Sequence, residues 1–574
     1  MPTKPLLQVT GEISLVLSGP AGTGIQTVEQ LLVRILHRGG YHIFATKEYM
    51  SRIRGGSNST TIRVGGAPLR AMADRIDLLI PLAKGGIRHV QQRISPETLI
   101  LCEPDHFEVN SLQVRHVEVP FTQIARDLGN KLFSNIVAVG VVGAILSVDL
   151  SLMTDFIRTR FAGKDETLIR GNIQALKKGY EIGTALVRTK TVQIQIQPDD
   201  AVKNDMLING VEAVGLGALA GGCNFIGAYP MSPSTGLLTF LAHQADSFGI
   251  VVEQAEDEIA GINMALGAWY AGARALASSS GGGFALMSEG LSLAGMIESP
   301  LVVHLAQRPG PATGLPTRTG QEDLNLALYA GHGEFPRAIF APGTLQQAYD
   351  LTVRAFDLAD RYQAPVFIMT DQYFVDTYYN TPRFEAPESG VEHRFVKTEK
   401  DYARFALTED GLSPRGIPGH GDGLVVVDSD EHDEHGHITE DLDIRTRMVN
   451  KRLARQKLLD QQVIEPTLWP NKNFKTLVLC WGSTLPVVQE ALTILARDDI
   501  SLLHFAQVWP LPQNLKDRLT QAEKRIGLEG NATGQFAAII TQHTGVDIPE
   551  MILKYNGLPF TVEEVTASLR TLLG

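Results

Sequence analysis

The segments Tyr229-Pro230-Met231-Ser232-Pro233-Ser234-Thr235, Val251-Val252-Glu253-Gln254-Ala255-Glu256-Asp257-Glu258-Ile259-Ala260-Gly261 and Ser278-Ser279-Ser280-Gly281-Gly282-Gly283 supply a stiff turn, a carboxylate and a glycine loop. They fall within one run of alternating strands and helices, the pattern of an α/β fold. Two prolines around Ser232 fix φ on both flanks and present its hydroxyl from a turn that costs little entropy to order. After Glu258, the residues Ile259, Ile262 and Leu266 recur at helical spacing. Ala260, Gly261, Ala265, Gly267 and Ala268 fill the other faces, which predicts a helix buried all round. Downstream, Pro300-Leu301-Val302-Val303 reads as a buried strand that delivers His304-Leu305-Ala306-Gln307-Arg308 at its carboxyl end, where open α/β sheets place ligands.

Glu258 has two readings. Acidic residues in a first helical turn complement the helix dipole, and Glu256, Asp257 and Glu258 fit that role together. A carboxyl group in apolar surroundings also shares a proton readily with a ring nitrogen, as an aminopyrimidine cofactor requires. On the second reading, residues 229–283 are one half of a thiamine diphosphate site: Tyr229, Pro230, Ser280 and Gly281 frame the cofactor, Glu258 meets its ring, and Arg308 grips a substrate carboxylate through two parallel hydrogen bonds. Its diphosphate half is expected elsewhere. Gly421-Asp422-Gly423, with Asn450 after it, mimics a magnesium and diphosphate motif. Gly416-Ile417-Pro418-Gly419-His420 before it and Leu424-Val425-Val426-Val427 after it do not supply the buried strand and following helix that such a motif needs.

Outward from this core, residues 1–190 form an N-terminal domain that opens with the strand Ile13–Leu17, the loop Ser18-Gly19-Pro20-Ala21-Gly22-Thr23-Gly24-Ile25-Gln26-Thr27 and an amphipathic helix. Strand, glycine loop and helix offer backbone N–H groups to a phosphate. Neither the P-loop pattern nor Gly-x-Gly-x-x-Gly is matched. Lys47 to Asn58, including Arg54, adds cations beside a glycine pair. Residues 200–385 hold the half-site, and 386–465 form a charged linking segment. Within that link, Asp428-Ser429-Asp430-Glu431-His432-Asp433-Glu434-His435-Gly436-His437 invites a metal-site reading, against which a single solvated acidic run speaks. No metal is assigned to the chain. A basic helix from Arg445 to Lys457 is expected to neutralise the run. Residues 466–574 alternate strand and helix as a small doubly wound unit.

The 574 residues carry 44% hydrophobic and 20% charged side chains, enough for several cores. A net charge of −12 argues against a nucleic-acid partner. No apolar run of membrane-spanning length occurs, Met1-Pro2-Thr3-Lys4-Pro5 lacks a signal-peptide core, and a cytoplasmic protein is expected. Cys102, Cys223 and Cys480 are widely separated, so a four-cysteine iron–sulfur cluster is not expected on this chain.

With these motifs in view, nearly the whole chain resembles the 2-oxoacid:ferredoxin oxidoreductases, specifically their alpha subunit with a fused gamma domain. The resemblance implies three α/β domains: a gamma-type domain, a pyrimidine-type thiamine diphosphate domain and a transketolase C-terminal-like domain. It implies that Glu258 promotes the cofactor's reactive form and that Ser232 and Arg308 hold the substrate. Ser232 stands where the family has Thr, which keeps the hydroxyl and drops the methyl. The run Gln307 to Thr319 is most like members acting on 2-oxoglutarate, with Arg318 or His332 as a further contact for its distal carboxylate. Coenzyme A, as co-substrate, is implied at Gly22, Thr23, Gly24 and Arg54. A smaller beta subunit is implied to bring Mg2+, the diphosphate grip and a [4Fe-4S] cluster, in an α2β2 assembly that passes electrons to ferredoxin and yields succinyl-CoA. The alternatives are the same chemistry on pyruvate or another 2-oxoacid, a self-sufficient non-redox thiamine enzyme, and a non-catalytic CoA-binding assembly subunit.

Overall fold

The computed structural model describes residues 5–50, 56–106, 114–388 and 390–574. The chain packs as two compact units. The first takes the chain up to Ile208 with Asp376–Arg383 and Thr561–Glu563, and the second takes the remainder.

The first unit is built on an eight-stranded sheet. Glu12–Pro20 runs antiparallel to Ser57–Gly65, with Leu15 opposite Ile62, and parallel to Leu78–Pro81. Leu99–Cys102 and Arg115–Glu118 extend one side in parallel. His42–Glu48, Tyr378–Thr381 and Met206–Asn209 extend the other, so two strands of this sheet come from sequence beyond residue 200. The helix Ile25–Arg38 buries Val28, Leu31, Leu32, Ile35 and Leu36, the apolar stripe that its spacing predicts.

In the second unit a seven-stranded sheet has the order Val251–Gln254, Phe225–Ala228, Ala275–Ser279, Leu301–Gln307, Pro365–Asp371, Ala338–Phe340 and Gln507–Trp509. The first six are parallel, and Gln507–Trp509 pairs antiparallel at the edge. All seven residues of Leu301–Gln307 are buried, as befits a strand covered on both faces. Within it, His304 is tied to Ser278 Oγ and Thr370 Oγ1 at 2.9 Å each, linking three adjacent strands. Burial pushes its pKa down to about 4, so the imidazole is neutral at physiological pH. A five-stranded sheet follows in the order Thr467–Trp469, Ile500–Phe505, Thr476–Trp481, Lys524–Glu529 and Glu550–Leu553.

The segment between these sheets contains a 19-residue helix, Leu442–Asp460. Arg445 and Arg452 pair with Glu431 of the acidic run, the neutralisation that the sequence led us to expect. Lys451 and Arg455 turn inward to the fully buried Glu298, the lysine Nζ at 2.6 Å. Burial raises the Glu298 carboxyl pKa, but Arg455, Lys451 and Arg404 outweigh it and hold it at about 2. A second buried cluster sets Asp360 between Arg274 and Arg415, at 2.9 and 2.6 Å. Removing one partner of such a group leaves a buried charge and costs about 3–5 kcal/mol.

The acidic run forms a local turn. Asp433 accepts the backbone N–H groups of His435 and His437, while buried His432 lies against the Phe405 ring at 3.9 Å. Among the described residues no group of three or more His, Cys, Asp or Glu side chains is placed to hold a metal ion. Gly421 and Gly423 have a packing reason to be glycine, since a Cβ on either would come within 2.2 Å of the backbone at Thr398 or Glu399. The three cysteines are buried and free, with thiols raised by burial to about 11 at Cys102 and about 12 at Cys223 and Cys480. Such thiols stay protonated. Among the described residues no helix is long and apolar enough to cross a membrane.

Candidate active site

Four neighbouring parallel strands of the seven-stranded sheet end on one edge, and each end carries part of the candidate site. Ala228 leads into the Tyr229–Thr235 turn, Gln254 into Glu258, Ser279 into the glycine loop, and Gln307 into Arg308. This is the edge at which open α/β sheets bind ligands.

Asp257 resolves the two readings of the acidic triplet. Its side chain accepts the Ala260 N–H at 2.8 Å and caps the helix Glu258–Tyr270. Glu258 is thereby released from capping. It is 3% exposed, and its Oε1 accepts the Ser279 hydroxyl at 3.4 Å. The same hydroxyl lies 3.9 Å from Met231 Sδ, which joins the proline turn to the glutamate through one serine.

The glycine loop passes directly against these groups. A Cβ on Gly283 would stand 2.4 Å from Glu258 Oε1 and 2.2 Å from Ser279 Oγ, and one on Gly281 would stand 2.3 Å from Asp323 Oδ1. Only glycine permits both approaches. The Ser280 hydroxyl beside them is buried without a partner among the described residues. Gly283→Ala is therefore expected to displace Glu258 and to destabilise the fold by about 1–3 kcal/mol, read as a lowered thermal unfolding midpoint.

Arg308 is 9% exposed. Its Nη1 donates to Ser232 O at 2.7 Å, and its Nε is buried without a partner among the described residues. A guanidinium anchored at one nitrogen by a backbone carbonyl keeps its direction while leaving donors for an incoming carboxylate. Burial lowers its pKa, while the charges of Asp323 and Glu258 pull the other way.

Tyr229 is 40% exposed and Pro230 half-buried beside this cluster. Arg318 takes a different place: its backbone N–H donates to Leu315 O, and its stem packs on Gly557. His332 lines a separate cavity of about 240 Å³ with Ser292, Phe335, Arg445 and Arg452. Sequence reasoning missed Asp323 and Ser279 as members of the site, since neither stands in a spaced pattern. Only the adjacency of Ser279 to the glycine run was a signal.

One expectation is corrected. The helix Glu258–Tyr270 is not buried all round: Ile259, Asn263, Met264, Gly267 and Tyr270 are exposed, Ile259 by 48%. Helical spacing of apolar residues does not distinguish a face against the chain's own core from one open to another surface. Leu286, on the next short helix, and Val251, on the edge strand, are also exposed.

In the first unit, Gly22 and Gly24 adopt φ of 88° and 86°, a left-handed conformation that favours glycine. Gly24 caps the 14-residue helix Ile25–Arg38 without a side-chain hydrogen bond, and Asn135 Nδ2 donates to Thr23 O at 3.1 Å. Gly22 is exposed. Lys47 is engaged by buried Glu29 at 3.4 Å. Arg54 lies outside the described residues.

Comparison with known proteins agrees with this architecture. A family model described as pyruvate flavodoxin/ferredoxin oxidoreductase, thiamine diP-bdg, matches residues 216–451, and one described as pyruvate ferredoxin/flavodoxin oxidoreductase matches residues 14–182. The 2-oxoacid:ferredoxin oxidoreductase subunit alpha of a Sulfolobus sp is 30% identical, over 97% of this chain and 96% of that protein. The 2-oxoglutarate oxidoreductase subunit KorA of Mycobacterium tuberculosis is 30% identical over 76% of this chain and 68% of its own. A solved structure of the 2-oxoglutarate:ferredoxin oxidoreductase from Magnetococcus marinus, with 2-oxoglutarate, coenzyme A and succinyl-CoA bound, superposes with a TM-score of 0.92. It is 28% identical and covers 98% of this chain and all of that one. The chain belongs to the alpha subunits of the 2-oxoacid:ferredoxin oxidoreductases.

Proposed function

We propose that this chain is the alpha subunit of a 2-oxoglutarate:ferredoxin oxidoreductase, interconverting 2-oxoglutarate, coenzyme A and oxidised ferredoxin with succinyl-CoA, carbon dioxide and reduced ferredoxin. The observation that carries the reading is Glu258, a buried carboxylate freed from helix capping by Asp257, on the same sheet edge where the Ser232 carbonyl anchors Arg308. The M. marinus structure and the KorA relatives support the choice of substrate.

The residues fit the pyrimidine half of thiamine diphosphate. Ser280 has an orphaned buried hydroxyl, and Gly281 and Gly283 keep the loop close to two acids. When bound, the cofactor supplies a carbon nucleophile for the 2-oxo carbon. Glu258 would hold a proton at the pyrimidine nitrogen, with Ser279 fixing its carboxylate. Arg308 would bind the substrate carboxylate, with the Ser232 carbonyl setting its direction and the Ser232 hydroxyl close to the substrate. Tyr229 and Pro230 would line the approach. Arg318, on its loop beside Gly557, is kept as a candidate for the distal carboxylate.

Coenzyme A is assigned to the loop of Gly22, Thr23 and Gly24 with Arg54, supported by the glycine-capped start of a 14-residue helix. Mg2+, the diphosphate grip and a [4Fe-4S] cluster are assigned to a smaller beta subunit in an α2β2 assembly. Three buried, protonated cysteines far apart in the sequence and the exposed apolar side chains Ile259, Met264, Val251 and Leu286 support that division.

The substrate assignment is tested by turnover of the assembled enzyme with 2-oxoglutarate, pyruvate and indolepyruvate. A kcat/KM for 2-oxoglutarate at least about tenfold above the others is expected. Equal or faster use of pyruvate would overturn it.

A further inference from the structure

We propose that Asp323 is a positioning residue for the substrate acid: a second buried carboxyl group whose charge sets how strongly Arg308 attracts an incoming carboxylate. The inference rests on the 2-oxoacid reading above and deepens it.

Asp323 stands at the start of the helix Leu324–Tyr329, yet its side chain makes no capping hydrogen bond. Its Oδ2 is buried without a partner among the described residues. A buried carboxylate oxygen left unpaired costs free energy unless a function or a ligand accounts for it. The surroundings hold it there by design of the chain. Its backbone N–H donates to Gln307 Oε1 at 3.1 Å, and Gln307 is in turn held through Nε2 to Thr370 O at 3.2 Å. Gln307 immediately precedes Arg308, so the hydrogen bond ties the Asp323 backbone to the strand end that carries the arginine. Gly281 offers no Cβ, and the carboxylate occupies the room this leaves.

The charged groups around it are few. Glu322, next in the chain, repels the ionised form; Arg308, at the strand end, attracts it; and the charge of Glu258, from the neighbouring helix, acts on Arg308 as well. The glycine loop brings the uncharged backbone of Gly281 against it. Burial, with Glu322 behind it, pushes the Asp323 carboxyl up to about 7 against the pull of Arg308. Below that pH the group is neutral and Arg308 presents its full charge. Above it, an ionised Asp323 competes with the substrate carboxylate for the guanidinium and repels it. The KM for the 2-oxoacid should therefore rise as the pH rises through neutrality.

The test uses the assembled enzyme, with the 2-oxoacid varied at saturating coenzyme A from about pH 6 to about pH 8, comparing the wild type with Asp323→Asn. Titration of the coenzyme A thiol affects both equally, so the difference between them isolates Asp323. The wild-type KM is expected to rise about fivefold over the range. That of Asp323→Asn should stay flat near the wild-type low-pH value, with most of the change in KM rather than kcat. A flat wild-type KM, or a rise that persists in Asp323→Asn, overturns the proposal, because a merely structural aspartate would leave the slope unchanged. If the asparagine variant fails to assemble, Asp323→Ser supplies the neutral side chain and the same two outcomes decide. A wild type that turns over no 2-oxoacid sinks the parent reading, and this one with it; an active wild type with an unchanged slope in the variant sinks this one alone.

Discussion

Glu258→Gln in the assembled enzyme is expected to lower turnover on the order of a thousandfold while leaving the fold intact. Glutamine has nearly the same volume, so the 3% exposed site is not opened. Its side-chain oxygen can still accept the Ser279 hydroxyl, as Oε1 does now. Asp257, not Glu258, caps the helix, so the helix start survives the change. What disappears is the ability to hold a proton at a ring nitrogen and give it back, which an amide cannot do. Two measurements separate the effects: the 2-oxoacid-dependent acceptor reduction rate and the thermal unfolding midpoint. Loss of rate with an unchanged midpoint is the expected pair. Retention of more than about a tenth of the rate would remove Glu258 from the chemistry.

Arg308→Lys is expected to act on the substrate instead. The guanidinium spends Nη1 on the Ser232 carbonyl, and on the proposed role the rest of its fork serves a carboxylate. Lysine offers a point charge with no second parallel donor, and it is not held in direction by a planar group. A loss of about 2.7 kcal/mol, within the range for hydrogen bonds to charged groups, corresponds to on the order of 100-fold in KM. A kcat change much smaller than the KM change marks a binding role, whereas an equal fall in kcat and kcat/KM would place Arg308 in the transition state alone.

The fold was readable where one periodicity ruled. The buried strand read at residues 300–303, which runs Leu301–Gln307, and the glycine loop before Ile25–Arg38 were both legible, because an apolar run marks a covered strand and glycines mark a turn that needs positive φ. Gln507–Trp509 was not, since a three-residue edge strand completing a distant sheet carries no local signal. At the candidate site, Glu258, Ser232 and Arg308 were read from strand ends and turn chemistry, and the structure brings them to one sheet edge. Asp323 was not read, because its place depends on one hydrogen bond from its backbone N–H to the Gln307 side chain across 16 residues of chain. The helix after Glu258 was misjudged on one face for a related reason. Apolar spacing tells that a surface will be covered and does not tell by what.

The most direct measurement is turnover and colour of the chain purified alone against the complex recovered at native expression levels, both supplied with thiamine diphosphate, Mg2+, coenzyme A and 2-oxoglutarate. The expected result is a colourless, inactive single chain and a brown, active complex containing a second polypeptide of about half its mass. A colourless single chain that turns over 2-oxoacid by itself would contradict a site shared between two subunits.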